Sequence, residues 1–163
     1  MISGESHYVW GSHYRLKIVE RPGTAHVETD GDRLILYIPK GKDTDQRRRL
    51  LEKWYRQQLR SVLPELVAEW ESKIGVKVTR WTIRRMKTKW GSCNPATGHV
   101  LLNIELAKKH PDHLEYIAVH EMVHILERGH GKRFKTLMDN FIPDWRARRE
   151  QLNNSSLGEE LWK

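Results

Sequence analysis

The sequence predicts an α+β fold. Short apolar runs with strand spacing crowd its first forty or so residues, a long run with helical spacing follows, and most of the remainder again reads as helix. With 163 residues the chain has the size of one compact domain. A chain of that length can bury a core without disulfide or metal staples, so any metal is free to be functional. Hydrophobic residues make up 38% of it and seven Trp are spread from Trp10 to Trp162, which excludes disorder throughout.

Tyr14-Arg15-Leu16-Lys17-Ile18-Val19 alternates in polarity, Arg21-Pro22-Gly23 reads as a turn, and Leu34-Ile35-Leu36-Tyr37-Ile38 is a second apolar run after Asp30-Gly31-Asp32. The two runs are expected to be antiparallel neighbours. From 44 to about 73, apolar residues recur at Leu50/Leu51, Trp54/Tyr55, Leu59, Val62/Leu63, Leu66/Val67 and Trp70, the spacing of a helix that Pro64 should kink or divide. Gly75 ends it, and residues 76–86 read as a strand with Thr79, Trp81 and Ile83 on one face. The turn signal Asn94-Pro95-Ala96-Thr97-Gly98 leads into a short strand, Val100-Leu101-Leu102-Asn103-Ile104, expected to pair with the strand before the turn. After Pro111, a helix carries Leu114, Ile117, Ala118, Met122 and Ile125 on its apolar side. Gly129 and Gly131 interrupt it; Phe134, Leu137, Met138 and Phe141 mark another helix, and Pro143-Asp144-Trp145 opens a last one to about 152, before a loosely held tail from Asn153.

No stretch of the sequence approaches the roughly 18 apolar residues of a membrane helix, and the start lacks a basic segment followed by an apolar run. Cys93 is the only cysteine, a composition suited to a reducing compartment, so the expected location is the cytoplasm. Net charge is +8, gathered in short clusters: Arg47-Arg48-Arg49, Arg84-Arg85 with Lys87 and Lys89, Lys132-Arg133 with Lys135, and Arg146 with Arg148-Arg149. Such clusters permit contact with nucleic acid or a nucleotide, but most are simply solvated faces.

The chemistry lies in His120-Glu121-Met122-Val123-His124, an HExxH pattern on a segment independently read as helical. At about 100° per residue the two histidines are offset by about 40° and about 6 Å along the axis, so both imidazoles can converge on one ion. Glu121 stands beside them, placed to act as general base on a water held there. A catalytic zinc takes a third protein ligand, and His130 supplies it only if the helix ends first, because an unbroken helix would turn it about 240° away. Gly129, which accepts a left-handed backbone cheaply, is the expected point of reversal. His99, His110 and His113 carry no matching spacing, and Cys93 has the bland reading of a lone buried thiol.

The segment Met86-Lys87-Thr88-Lys89-Trp90-Gly91-Ser92-Cys93, with Leu101-Leu102-Asn103, Leu114-Glu115-Tyr116, the HExxH run, His130, Phe134 and Pro143-Asp144-Trp145, resembles the YgjP-like metallopeptidase domain family. The resemblance is tight over about 76–152 and looser over 8–39. It implies a zincin-like fold, a small mainly antiparallel sheet packed on helices with the HExxH motif on a central helix. It also implies one zinc ion on His120, His124 and His130, with Glu121 catalytic. The organisation expected is a single domain over 1–163: a β-rich lead-in (1–43), a helical segment (44–74), the hydrolase core (76–152) and a tail (153–163). Family members usually carry more sequence ahead of Tyr8, so part of the N-terminal sheet is expected to be missing. The His124 to His130 spacing also matches metzincins, but Glu127 stands where those have glycine and Met138 reads as helix core rather than a Met-turn.

The expected function is hydrolysis of peptide bonds in a peptide or protein substrate, with Trp90, Ser92 and Asn103 lining the cleft and the strand around 101–104 as the edge that aligns the substrate. Two alternatives compete. One is pyrophosphohydrolysis of a nucleoside triphosphate such as UTP, for which the cations at 84–89 would be useful although no phosphate-binding loop is present. The other is a nucleic-acid-associated protease module like the similar SprT-like proteins.

Overall fold

The computed structural model describes residues 1–155, so the expected tail lies outside the described residues beyond Ser155. The chain opens with four strands, β1 (Ser6–Val9), β2 (Ser12–Glu20), β3 (His26–Asp30) and β4 (Arg33–Ile38), forming one sheet in the order β1-β2-β4-β3. A two-residue turn joins β1 to β2, with Trp10 at φ 50° and Gly11 at φ 81°, the pair of positive φ values that matches the twist of a tight hairpin. Gly11 is required there for a second reason. A Cβ on it would sit 3.2 Å from the backbone of His110, against which the hairpin docks. Trp10 N–H donates to the Ala107 carbonyl (2.8 Å) and Gly11 N–H to that of Lys108 (3.0 Å), tying this sheet to the second half of the chain.

The runs expected to be antiparallel neighbours, now β2 and β4, are parallel, with Ile18 opposite Leu36. The reason is β3, which the sequence pattern hides because only Val27 of its five residues is buried. The chain leaves β2, passes to the outer position, and returns from β3 through a tight turn at Gly31 into the gap beside β2. Two reversals restore the original direction. As an interior strand β4 buries Leu34, Ile35, Leu36 and Ile38, a nearly continuous apolar run.

Next comes α1 (Thr44–Ile74), capped by a reciprocal pair in which Gln46 N–H donates to Asp43 Oδ1 (2.8 Å) and Asp43 N–H to Gln46 Oε1 (2.9 Å). Leu51, Tyr55, Leu59, Leu63, Val67, Trp70 and Ile74 form its buried stripe, each burial stabilising by about 1.5–3 kcal/mol. Pro64 does not divide this helix; it faces solvent, where water can serve the Arg60 carbonyl that the missing N–H leaves unbonded. Gly75, at φ 79°, closes the helix by donating to the Glu71 carbonyl. α1 touches β3 and β4 of the first sheet as well as the elements that follow.

Those elements begin with a second sheet of three strands, β5 (Arg80–Arg84), β6 (Gly91–Asn94) and β7 (His99–Asn103), in the order β5-β7-β6. β7 pairs with β5 as expected, in parallel, and also with β6 across the 94–98 turn, antiparallel. It is therefore the centre of the sheet and not the edge strand expected to align a substrate. β6 escapes a sequence reading because Gly-Ser-Cys-Asn has no strand periodicity. The strand expected over 76–86 is confined to β5. A 3-10 helix (Ile104–Lys108) leads to α2 (Pro111–Val123), then α3 (Lys132–Phe141) and α4 (Trp145–Asn153). The described residues are thus α+β, with two small sheets, each mixing parallel and antiparallel pairs, and four α-helices. α2 packs on β6 and β7, on α1, and on α3 and α4, and Tyr116, Ile117, Met122, Phe134 and Met138 are fully buried where they meet. Among the described residues no helix is long and apolar enough to cross a membrane.

Candidate metal centre

Pro111 begins α2, and the preceding His110 ring accepts from Asp112 N–H at 3.1 Å, closing the helix start. The HExxH residues lie at the other end. His120 and Glu121 occupy the last turn, and His124 is the cap residue, still in right-handed helical conformation. Beyond it the chain tightens, with Ile125 N–H on the Met122 carbonyl (3.1 Å) and Leu126 N–H on that of Val123 (2.9 Å). Gly129 is not left-handed, and a Cβ on it would meet only Gly131 N at 3.9 Å, so the expected glycine reversal is absent. Unwinding begins at His124 instead, and the connection to α3 carries His130 back.

The ring nitrogens of His120, His124 and His130 converge. Nε2 of His124 lies 3.2 Å from Nε2 of His120 and 3.0 Å from Nε2 of His130, which lies 3.3 Å from that of His120. Nitrogens bound tetrahedrally to one zinc at roughly 2.0–2.1 Å stand about 3.3 Å apart, so the triad fits an ion of that class. His124 Nδ1 lies 3.0 Å from the Glu127 carbonyl, an acceptor, so that nitrogen carries the ring proton and Nε2 turns its lone pair inward. Burial, reinforced by the neighbouring imidazoles, holds His120 well below the ordinary histidine range, and burial also lowers His124. Neutral imidazole is the form that binds metal.

Phe134 of α3 is the platform beneath all three rings. It stacks on His124 (centroids 4.6 Å, 18°) and meets His120 and His130 edge-on at 4.9 and 5.0 Å. Its apolar spacing marks it only as core; the added signal is an aromatic one turn beyond His130. Tyr116, one turn before His120, meets that ring edge-on, with centroids 5.8 Å apart.

Glu121 is 2% exposed, and its Oε2 has no hydrogen-bond partner and stands 4.0 Å from His120 Nε2. Burial pushes its carboxyl up to about 8, opposed by the charge of Lys89. Gly91 of β6 presses on the same side chain, since a Cβ there would lie 3.3 Å from Glu121 Cγ and 2.9 Å from Ile117 Cγ2. A glycine inside a strand signals such close approach, so Gly91 was findable; Lys89 reads only as part of a basic cluster.

Side chains alternate along β6. Gly91 and Cys93 therefore face α2, with Glu121 raising the Cys93 thiol after burial, and Ser92 points to the opposite face. Trp90 is 3% exposed and Asn103 fully buried. The expected lining of a cleft by Trp90, Ser92 and Asn103 is thus not what the structure arranges. Asn103 instead donates from Nδ2 to the carbonyls of Met86 and Lys89, both at 2.8 Å, and accepts at Oδ1 from Glu105 N–H at 3.1 Å. It binds the 86–90 segment to the end of β7. His99 and His113 stand apart from the triad, paired with Thr82 and Gln151.

The basic clusters fall on α1, the end of β5 and the segment after it, α3 and α4. Several members are committed to carboxylates: Arg47 to Glu20, Arg85 to Glu105, Arg133 to Glu127, and Arg148 to Glu115. Nothing in this arrangement singles out a nucleic-acid surface.

No curated protein matches the chain. Among solved structures it is similar to the crystal structure of the metallopeptidase zymogen of Pyrococcus abyssi abylysin, at 16% identity and a TM-score of 0.51, over 56% of this chain and 91% of that one. It is also similar to the metallopeptidase zymogen of Methanocaldococcus jannaschii jannalysin, at 22% identity and a TM-score of 0.48, over 55% and 86% of the two chains. The first likeness is one of fold. The family model described as YgjP-like, metallopeptidase domain, matches residues 1–155. By that match, which takes in the sheets and helices of the described residues and the histidine triad, the chain belongs to the YgjP-like metallopeptidase domain family.

Proposed function

We propose that the protein is a zinc-dependent metallopeptidase in which His120, His124 and His130 hold one ion and Glu121 is the general base. The observation that carries this reading is the convergence of three Nε2 atoms within 3.0–3.3 Å beside a buried, unpartnered carboxylate oxygen. Three imidazoles suit zinc, and family membership implies a metal. When bound, such an ion acidifies water and polarises a carbonyl.

Glu121 Oε2, with no competing hydrogen bond, takes the proton of the attacking water and returns it to the leaving amine. Burial pushes the Glu121 carboxyl up to about 8, and the Lys89 charge, joined by that of a cation on the triad, would favour the carboxylate that a general base requires. The Glu127 carbonyl holds the His124 ring in the tautomer that presents Nε2, and Phe134 fixes the planes of the three rings. The substrate is a peptide or protein whose extended backbone pairs along β6, the edge strand beside Glu121. These parts form the core, over 76–152, of a single domain.

Lys89, the cation acting on Glu121, would serve a triphosphate as well as a peptide carboxylate. The test therefore offers zinc-loaded protein a mixed peptide library together with nucleoside triphosphates including UTP, with products read by mass spectrometry and Glu121→Gln as control. Peptide fragments made only by the native protein are expected. Nucleoside monophosphate and pyrophosphate without peptide fragments would overturn the peptidase assignment, and full activity in Glu121→Gln would overturn the general-base role.

A further inference from the structure

Away from the histidine triad, a groove of about 380 Å³ runs between α1 and β5. One wall is Arg60, Leu63, Pro64 and Val67; the other is Arg80, Trp81, Thr82 and Ile83. Four consecutive strand residues line it. Because successive side chains leave a strand on opposite faces, a groove touching four in a row opens on the edge of β5 rather than on one face.

That edge is unpaired. Among the described residues β5 bonds only to β7, so its outer side presents backbone N–H and C=O groups to the groove. The walls add one more polar group without a protein partner: Trp81 Nε1 is buried and makes no hydrogen bond. Between the walls the groove is apolar, through Leu63, Val67 and Ile83.

Charge decides the occupant. Arg60 and Arg80 flank the groove, both exposed, and Arg84 lies four residues beyond Arg80 on the same face of the strand. None of the three is paired with a carboxylate among the described residues, whereas Arg47, Arg85, Arg133 and Arg148 are. An extended backbone matches a strand edge; acidic side chains match the arginines.

We propose that this groove is a docking site for an extended acidic peptide segment of a partner or substrate protein, which adds as a fourth strand on β5. Its backbone pairs with the β5 edge, its carboxylates engage Arg60 and Arg80, and one of its acceptors takes the Trp81 indole N–H. The site is separate from the cleft proposed along β6, because β5 and β6 are two strand spacings, roughly 10 Å, apart across the sheet. It holds whether or not the chain cleaves peptides.

The test is fluorescence anisotropy of the full chain with a fluorescein-labelled seven-residue peptide alternating glutamate and valine, its integrity checked by mass spectrometry. Binding is expected, weakened at least fivefold by Arg60→Ser with Arg80→Ser, and at least tenfold when alternate peptide amides on the pairing side are N-methylated. Removing the same charge from the other sheet, by Arg15→Ser with Arg33→Ser, should leave affinity within twofold. Absence of binding, equal binding of the lysine-for-glutamate peptide, or equal loss in both double variants would overturn the proposal. So would unchanged affinity for the N-methylated peptide, which removes backbone pairing without touching the protein; competition by a single-stranded oligonucleotide in that case would assign the arginines to phosphate.

Discussion

Gly91 and Glu121 are packed so closely that a single methyl group on the glycine would lie 3.3 Å from the Cγ of the carboxylate side chain. The same methyl would stand 2.9 Å from Ile117 Cγ2 and 3.0 Å from the Leu101 carbonyl oxygen, and the latter belongs to the backbone of β7 and cannot swing aside. Gly91→Ala therefore has to push β6 off α2. Overpacking of this kind costs about 1–3 kcal/mol. Urea denaturation should show that loss, and cleavage should fall further than stability does because the displaced strand is the one that abuts Glu121. An alanine variant with native stability and native turnover would remove the close approach from the account of the site.

Asn103 is fully buried and its side chain makes three hydrogen bonds, at 2.8, 2.8 and 3.1 Å, to groups of the 86–90 segment and the 3-10 helix. Asn103→Leu keeps the branched skeleton and orphans two carbonyls and one N–H, at about 1–3 kcal/mol for each group left unsatisfied in the interior. The expected loss is at least about 3 kcal/mol, read as a lower urea midpoint at unchanged slope. Asn103→Asp should be no better, since it turns a carboxylate oxygen toward the Met86 and Lys89 carbonyls. A near-neutral leucine variant would show that the segment is held by other means.

The ligand set makes a prediction that needs no substrate. A ligand at a hundredfold excess over its Kd stabilises the native state by about 2.7 kcal/mol, a Tm rise of roughly 5–10 °C for a chain of this size. Zinc should produce that rise at one ion per chain in the native protein and in Glu121→Gln. In His120→Ala it should vanish, because His124 and His130 alone leave the third position to solvent. A rise that survives His120→Ala would place the ion elsewhere.

Much of this architecture was legible from residue spacing, and the exceptions have physical causes. α1 announces itself because its buried positions recur every three or four residues from Leu51 to Ile74, and the histidine triad because HExxH falls at a helix end with His130 beyond it. The parallel pairing of β2 with β4 was not legible: it depends on β3, which is mostly polar and exposed and carries little apolar signal. Pro64 misleads as a helix breaker because its cost depends on which side of the helix it occupies, a tertiary property. Asn103 and Trp90 misled differently. Their residue types suit a binding cleft as well as a core, and only burial separates the two.

Cys93 offers a pH test of the interior beside Glu121. Burial first, and the Glu121 charge second, push its thiol up to about 11. The thiolate is the reactive form, so alkylation of the folded protein by iodoacetamide should climb tenfold per pH unit up to about 11. An ordinary thiol levels off near its pKa of about 8.5. At pH 8 the folded protein should therefore react roughly two hundred times more slowly than the urea-unfolded chain. The same shift fixes the sign of a stability change. A thiol whose folded pKa exceeds its unfolded value stays protonated in the native state while the unfolded chain ionises. Its contribution is therefore complete below about 8.5 and is lost as pH rises through about 11. Cys93→Ser, which does not titrate in that window, should flatten this part of the stability profile, whereas an unchanged profile together with rapid alkylation at pH 8 would mean that β6 does not shield the thiol.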